Sequence, residues 1–101
     1  MSYPLPVPSA RIAAFCRERG IRRLSLFGSV LRPDFGPHSD IDVLVEFEPG
    51  RTPGLFDMAR FERELSAVFG DRRVDLRTPQ DLSRYFRQRV LEQAAVQYDA
   101  E

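Results

Sequence analysis

The chain has 101 residues, which is enough for one hydrophobic core, so we expect a single domain over residues 1–101. Hydrophobic residues make up 43% of the sequence and charged residues 30%, proportions that exclude wholesale disorder. No apolar run reaches the length of a membrane span, and the start of the chain lacks the features of a signal peptide. We therefore expect a cytoplasmic protein that makes no use of a membrane.

The charge balance and the cysteine content argue against several further classes of protein. The 15 basic and 15 acidic residues cancel, so the chain lacks the basic excess with which proteins grip polynucleotides, and direct nucleic-acid binding is not expected. Cys16 is the single cysteine, which rules out an internal disulfide bond and disfavours a cysteine-rich zinc site. Because Cys16 falls in the apolar stripe of a predicted helix, we interpret it as a reduced core residue.

The chain begins with a predicted arm and a helix. Prolines at positions 4, 6 and 8 indicate a loosely ordered arm over residues 1–8. Ser9 is expected to cap a helix over about residues 10–19, and Gly20 is expected to end it.

Two predicted strands follow. Alternation of apolar and polar residues predicts a strand over residues 22–27, and the pair Gly28-Ser29 ends it. A short helical turn and a loop over residues 33–38 come next. Residues 40–47 are the clearest strand of the sequence. One face of that strand carries Ile41, Val43, Val45 and Phe47, and the other carries Asp40, Asp42, Leu44 and Glu46.

The second half predicts two more helices around a third strand. A helix is expected over residues 55–69, with a buried stripe of Leu55, Met58, Phe61, Leu65, Val68 and Phe69. Residues 73–77 predict a short strand with Asp75 on its polar face. Thr78 is expected to cap a last helix that reaches about Ala95. This last helix is expected to bury Leu82, Phe86, Val90, Leu91 and Ala94.

The predicted order of elements is α-β-β-α-β-α. Strands with one apolar and one polar face need helices on only one face of the sheet. The predicted fold class is therefore α/β, in the two-layer (α+β) arrangement of a small sheet with helices on one face. The other face is expected to be open to solvent, and the polar side chains converge there.

Three acidic residues on that face predict a metal site. Asp40 and Asp42 lie two residues apart on one strand, so both project to the same side, about 6.5–7 Å apart at the backbone. A divalent cation relieves the repulsion between them, and carboxylates suit Mg²⁺, which substrate phosphates help to hold. If the third strand lies beside the second, Asp75 joins them. The alternatives are a solvated strand edge and a surface ion pair of Asp75 with Arg73 or Arg77.

A candidate phosphate site precedes the acidic pair. Gly28 ends a strand and lets the backbone approach a ligand closely, while Ser29 offers its N–H and hydroxyl groups. The helical turn that follows adds unpaired N–H groups, and Arg32 is placed to neutralise a phosphate oxygen. A plain strand-ending turn is the alternative. His38, in a Gly/Pro loop, is interpreted as solvent-exposed.

These segments resemble a known family, the minimal nucleotidyltransferases, a small branch of the DNA polymerase beta superfamily. The resemblance rests on Leu26-Phe27-Gly28-Ser29-Val30-Leu31-Arg32, on Ser39-Asp40-Ile41-Asp42-Val43-Leu44-Val45-Glu46-Phe47, and on the later Val74-Asp75-Leu76. It spans about residues 10–98 and implies a mixed sheet like the polymerase beta palm. It also implies that Asp40, Asp42 and Asp75 are catalytic and hold metal, and that Gly28, Ser29, Arg32 and Ser39 contact the nucleotide.

The resemblance further implies a function. Such domains are similar to the antitoxin half of two-gene bacterial and archaeal systems, whose partner is a HEPN-domain ribonuclease toxin. The antitoxin of this family transfers AMP from ATP to a tyrosine of the toxin. We therefore expect a protein adenylyltransferase that uses ATP and two Mg²⁺ ions. Asp75 would also be placed to accept the proton of the attacking hydroxyl.

The sequence leaves two other functions open. A non-catalytic antitoxin would block the toxin by contact alone. A nucleotidyltransferase for a small molecule such as an aminoglycoside, or for RNA, generally needs a further domain to shape its acceptor pocket, although a dimer would also supply that wall. A homodimer and a hetero-oligomer with the toxin are both compatible with the sequence. One departure from the family is Pro33, where many relatives have glycine, and it predicts a stiffer loop after Arg32.

Overall fold

The computed structural model describes Leu5 and residues 7–100. The arm predicted for residues 1–8 therefore lies partly outside the described residues. At Leu5 and Val7 the prediction of a loose arm is wrong, because Leu5 is buried in the hydrophobic core and Val7 packs against that core. Burial of apolar surface stabilises the positions of Leu5 and Val7 against the core.

The described residues form three α-helices and four strands. The helices are α1 (Ser9–Arg19), α2 (Leu55–Val68) and α3 (Arg84–Gln93), and the strands are β1 (Ile21–Phe27), β2 (Ile41–Phe47), β3 (Val74–Arg77) and β4 (Ala95–Asp99). Short 3-10 turns lie at Gly28–Leu31 and Pro79–Asp81. The first five predicted helices and strands are confirmed to within one residue at each end. Across Leu5 and residues 7–100, no helix is long and apolar enough to cross a membrane.

The first helix begins one residue earlier than predicted. Pro8, not Ser9, occupies the cap position, and its carbonyl accepts the N–H of Ile12 at 3.0 Å. The helix buries Cys16, whose thiol is free, so its interpretation as a reduced core residue is confirmed. Burial raises the pKa of the Cys16 thiol from 9.0 to about 12, which keeps it protonated and unreactive.

The sheet is mixed, as the family resemblance implied. Its strand order is β3-β2-β1-β4, in which β1 runs antiparallel to both β2 and β4, and β2 runs parallel to β3. The fourth strand is absent from the predicted α-β-β-α-β-α order, which is wrong at this end of the chain. The last helix ends at Gln93, and the chain turns at Ala94 into an extended strand that pairs with β1. This pairing supplies hydrogen bonds to an edge of β1 that would otherwise lack partners.

The core lies between the sheet and the helices α1 and α2. On β1 and β2 the core-facing residues Leu24, Leu26, Val43 and Val45 are fully buried. The predicted stripe of α2 is confirmed for Phe61, Leu65 and Phe69, which are buried, and Met58 and Val68 pack against the core. It is wrong for Leu55, which is 90% exposed because it lies at the first residue of the helix, beyond the core.

Helix α3 does not bury the apolar stripe that the sequence predicts. None of its residues is buried, and Leu82, Phe86, Val90, Leu91 and Ala94 all keep part of their surface in solvent. The helix is instead held through Arg87, whose guanidinium donates to the carbonyls of Pro79 at 2.7 Å and Leu82 at 3.1 Å. Polar bonds to a neighbouring turn therefore replace core packing for this element.

The face that carries the acidic residues is less open than predicted. Ser25 and Leu44 are neighbours on this face, and both are buried. The turn Pro79–Asp81 contacts β2, and α3 is tied to that turn. The prediction of a wholly solvent-exposed second face is therefore wrong near the middle of β2.

A side-chain carboxylate accepts a backbone hydrogen bond from the outer edge of β3. Glu62 of α2 accepts the backbone N–H of Leu76 at 2.8 Å. An unpaired N–H beside a buried side chain costs free energy, and this bond satisfies it.

We predict that Glu62→Ala lowers the free energy of unfolding by about 1–3 kcal/mol, because it leaves the Leu76 N–H without its charged acceptor. Urea denaturation measures the loss. Glu18→Ala is the control, since Glu18 is 71% exposed in a surface ion pair with Arg19 and its removal should cost at most about 1 kcal/mol. Equal losses in the two variants would refute this role of Glu62.

Candidate active site

Two of the predicted acidic residues lie side by side. Asp42 on β2 is the register partner of Asp75 on the parallel strand β3. Neighbouring strands lie about 4.8 Å apart, and register partners project from the same face of a sheet. The structure therefore brings the acid of the third strand next to the second acid of the Asp-x-Asp pair.

Asp40 lies immediately before β2, at the same end of the strand pair. Its side chain is exposed, and its backbone carbonyl accepts the Ser29 hydroxyl at 3.0 Å. Among the described residues, no three His, Cys, Asp or Glu side chains converge closely enough to hold a metal ion by themselves. The paired carboxylates of Asp42 and Asp75 are nevertheless a donor set that suits Mg²⁺ when phosphate oxygens complete the coordination.

The backbone of the Gly28-Ser29 turn lies directly against the carboxylate of Asp42. Gly28 has a φ of 70°, in the left-handed region that favours glycine. A Cβ at this position would collide with the carboxylate of Asp42. The Ser29 N–H points at the same carboxylate, 3.4 Å from its Oδ2, a long and weak hydrogen bond. The glycine thus allows the backbone and the acid to approach each other directly.

The environment of Asp42 disfavours its charged form. Partial burial raises the pKa of the Asp42 carboxyl above its ordinary value, and the negative charges of Asp75 and Asp40 raise it further. The Ser29 N–H and the Arg77 guanidinium oppose the rise without cancelling it. The carboxylates are therefore held together at a cost that a bound cation would relieve.

Asp75 has a cationic partner on its own strand. The guanidinium of Arg77 donates to Asp75 Oδ2 through Nε at 3.2 Å, and its second nitrogen is also 3.2 Å from that oxygen. The sequence left open an ion pair with Arg73 or Arg77, and the structure selects Arg77. Both side chains are substantially exposed, so the pair contributes little to stability and leaves Asp75 accessible.

Arg32 and Ser39, the other predicted nucleotide contacts, each interact with a residue of the loop before Asp40. The Arg32 side chain is 65% exposed and lies 3.6 Å from Asp34, which it can leave at little cost. The Ser39 hydroxyl accepts the N–H of Gly36 at 3.1 Å, so in this structure it closes the loop before Asp40. His38 is exposed, as the sequence indicated.

A further residue that supports the site escaped the sequence reasoning. Arg72 donates to the carbonyls of Gly36 at 2.7 Å and Ser39 at 2.8 Å, and its guanidinium lies 4.7 Å from the centre of the Phe35 ring. It therefore clamps the loop that leads into Asp40. No local pattern reveals it, because its partners are 33 and 36 residues away in the sequence.

An open cleft adjoins the Gly28-Ser29 turn. It has a volume of about 580 Å³ and is lined by Phe27, Gly28, Leu31, Arg32, Val90 and Gln93. Helix α3 thus forms one wall of a space that begins at the glycine. Apolar walls with a few polar groups are typical of small-molecule sites.

A sheet that pairs carboxylates beside a glycine-serine turn, next to an open cleft, fits the site expected of a nucleotidyltransferase. Residues 9–97 match the family model described as Nucleotidyltransferase domain. The chain therefore belongs to the nucleotidyltransferase domain family.

Individual relatives and structures agree with this family. The Methanocaldococcus jannaschii protein named "Putative protein adenylyltransferase MJ0435" is 36% identical over 84 residues, which cover 83% of this chain and 87% of that protein. The protein adenylyltransferase MntA of Thermococcus cleftensis is 43% identical over 61 residues, which cover 59% of each chain.

Solved structures share the fold. The solved structure named "Structure of putative minimal nucleotidyltransferase" has a TM-score of 0.69 and 37% identity, covering 85% of both chains. A chain from the complex of a tri-AMPylated Shewanella oneidensis HEPN toxin with an MNT antitoxin has a TM-score of 0.64 and 22% identity, covering 90% of this chain and 69% of that one. The second likeness shows the fold alone.

We predict that Asp42→Asn is more stable than the wild type at neutral pH in metal-free buffer. The folded-state pKa of Asp42 is raised, so ionisation destabilises the fold, and the penalty is present above that pKa. As the pH falls through the raised pKa toward 3.8, the wild-type carboxyl becomes neutral and the advantage of Asn disappears. Urea denaturation across this range measures the difference. Asp34→Asn is the control, because Asp34 lies in an exposed ion pair. A gain in the free energy of unfolding of Asp42→Asn that grew as the pH fell would contradict the raised pKa of Asp42.

We predict that Gly28→Ala weakens binding of MgATP by about tenfold or more, because the new methyl group displaces the Asp42 carboxylate. Gly70→Ala is the matched control: its φ is 73°, so it carries the same backbone strain, but no atom lies within 4 Å of the added methyl group. Calorimetric titration with MgATP measures both. Similar affinities for MgATP in the two variants would show that backbone strain alone, and not the contact with Asp42, accounts for the effect of replacing Gly28.

Proposed function

We propose that this chain acts as one domain that transfers AMP from ATP to a hydroxyl group, the acceptor being a tyrosine of a partner HEPN-domain toxin. The observation that carries this proposal is the pairing of Asp42 with Asp75 beside the Gly28-Ser29 turn. The names of the relatives support the chemistry, since both names contain the words protein adenylyltransferase. The complex of an AMPylated HEPN toxin with an MNT antitoxin supports the choice of partner.

In this proposal Asp40, Asp42 and Asp75 hold the magnesium ions. When bound, Mg²⁺ would neutralise the negative charge that develops on the α-phosphate and on the leaving pyrophosphate. Asp42 and Asp75 fit this role because they are adjacent, and because burial, together with the neighbouring negative charges, raises the pKa of Asp42, a penalty on its charged form that a cation would reduce. The exposed position of Asp40 leaves its carboxylate free to turn toward the same ions.

The remaining residues position the reactants. The N–H groups of the turn after Gly28 donate to phosphate oxygens, and Arg32 is exposed beside them for the same purpose. Asp75 accepts the proton of the attacking hydroxyl. The hydroxyl oxygen then forms its bond to the α-phosphorus while the bond to the bridging oxygen of pyrophosphate breaks. Positioning and electrostatics provide the catalysis, which is why few residues suffice.

The experiment is to incubate the purified protein with Mg-ATP and the product of the neighbouring gene, and to weigh that product by mass spectrometry. We expect addition of AMP to a tyrosine, dependence on Mg²⁺, and inhibition of the partner's ribonuclease activity. Asp42→Asn and Asp75→Asn should each reduce the rate at least about a hundredfold, because each removes a charged metal ligand. Asp34→Asn, outside the site, should retain the wild-type rate.

The other functions predict different outcomes. Inhibition of the partner without added AMP would establish an antitoxin that acts by contact. Modification of an aminoglycoside or of RNA, in the absence of any partner protein, would establish a different acceptor class.

A further inference from the structure

Two large apolar side chains at the start of α2 are almost fully exposed. Leu55 is 90% exposed and Phe56 is 92% exposed. They are neighbours in the chain, and the helical periodicity had placed Leu55 in the core-facing stripe. Scattered exposed apolar residues are ordinary, whereas adjacent ones beside a concave surface mark a site of interaction.

Leu55 forms part of a cleft at the ends of β2 and β3. The cleft has a volume of about 770 Å³ and is lined by residues 45–55, 58, 76 and 78–81, hereafter the strand-end cleft. Its walls are the loop after β2 and the turn after β3, and its apolar lining includes Phe47, Met58 and Leu76.

The charges of the strand-end cleft favour a basic occupant. Three acidic side chains line it, those of Glu46, Glu48 and Asp81, against the basic side chain of Arg51. Glu46 also lies 3.6 Å from Arg23, which does not line the cleft, so the excess over both arginines is one carboxylate. The Arg51 guanidinium lies against Gly20. An excess of carboxylates attracts a cationic segment and repels an anionic one.

The strand-end cleft also lies within reach of the proposed reaction centre. Thr78, which lines it, follows Asp75 by three residues, a distance of about 10 Å along a strand. A hydroxyl group beside Asp75 and an apolar side chain in the cleft would therefore be joined by about three residues of extended chain. A polypeptide acceptor spans this distance.

We propose that the strand-end cleft, with Leu55 in its lining and the exposed Phe56 next to Leu55 in the chain, docks the acceptor protein. The docked segment is basic and carries an apolar anchor about three residues from the hydroxyl group that receives AMP. This inference rests on the proposed function, because it assigns a site to the acceptor of that reaction. It assigns no role to the exposed aromatic pair Tyr85 and Phe86 on α3, which lie outside the cleft.

The test compares two double variants with the product of the neighbouring gene as acceptor. Leu55→Ser/Phe56→Ser should raise the KM for the acceptor by about tenfold or more and leave the affinity for MgATP unchanged. Tyr85→Ser/Phe86→Ser is the matched control, with two exposed side chains removed from α3, and it should leave both quantities unchanged. Glu48→Arg should also raise the KM, and more strongly at low salt.

An unchanged KM in the Leu55/Phe56 variant, or a raised KM in the Tyr85/Phe86 variant alone, would overturn the proposal. If the wild type transfers no AMP, the proposed function fails, and calorimetric binding of the same partner protein then tests the docking by itself. Binding lost only in the Leu55/Phe56 variant would support the strand-end cleft as the docking surface. Equal binding by both variants would overturn it.

Discussion

The parallel pairing of β2 with β3 is the constraint on which the site depends. Val43 and Leu76 are register partners on the core face, and their burial fixes how the two strands align. A slip of one residue would move Leu76 into solvent and Asp75 into the core, which the hydrophobic effect opposes. The same alignment makes Asp42 and Asp75 register partners on the opposite face. Apolar packing on one side of the sheet thus forces two like charges together on the other.

The structure tolerates this repulsion without removing it. The Ser29 N–H and the Arg77 guanidinium both favour the charged form of Asp42, yet its pKa stays raised because burial outweighs them. A sequence selected only for stability would replace one of the acids with a neutral residue. Retaining both is the pattern expected of a functional site, where local stability is given up for ligand binding.

Much of the fold follows from local sequence patterns, and so do the positions of the acids. Period-two alternation identified β2, and the glycine at position 28 marked the end of β1. The fourth strand was missed because Ala94 and Ala95 are good helix formers, and only pairing with β1 makes the segment extended. Arg72 was missed because its contacts lie far away in the sequence. Local patterns predict elements and faces, whereas contacts between distant segments require the folded chain.

The partial covering of the acid-bearing face has a chemical consequence. Leu44 follows Asp42 by two residues on the same face and is buried, so the carboxylates border a region from which water is excluded. Attraction between a carboxylate and a cation grows as the local dielectric falls, provided that the cation is present to balance the charge. The neighbouring apolar surface therefore disfavours the charged form of the free acids and would strengthen their attraction for a cation. The same pairing of Asp42 with Asp75 on a fully solvated sheet would repel less and bind a cation less, because water would weaken both interactions.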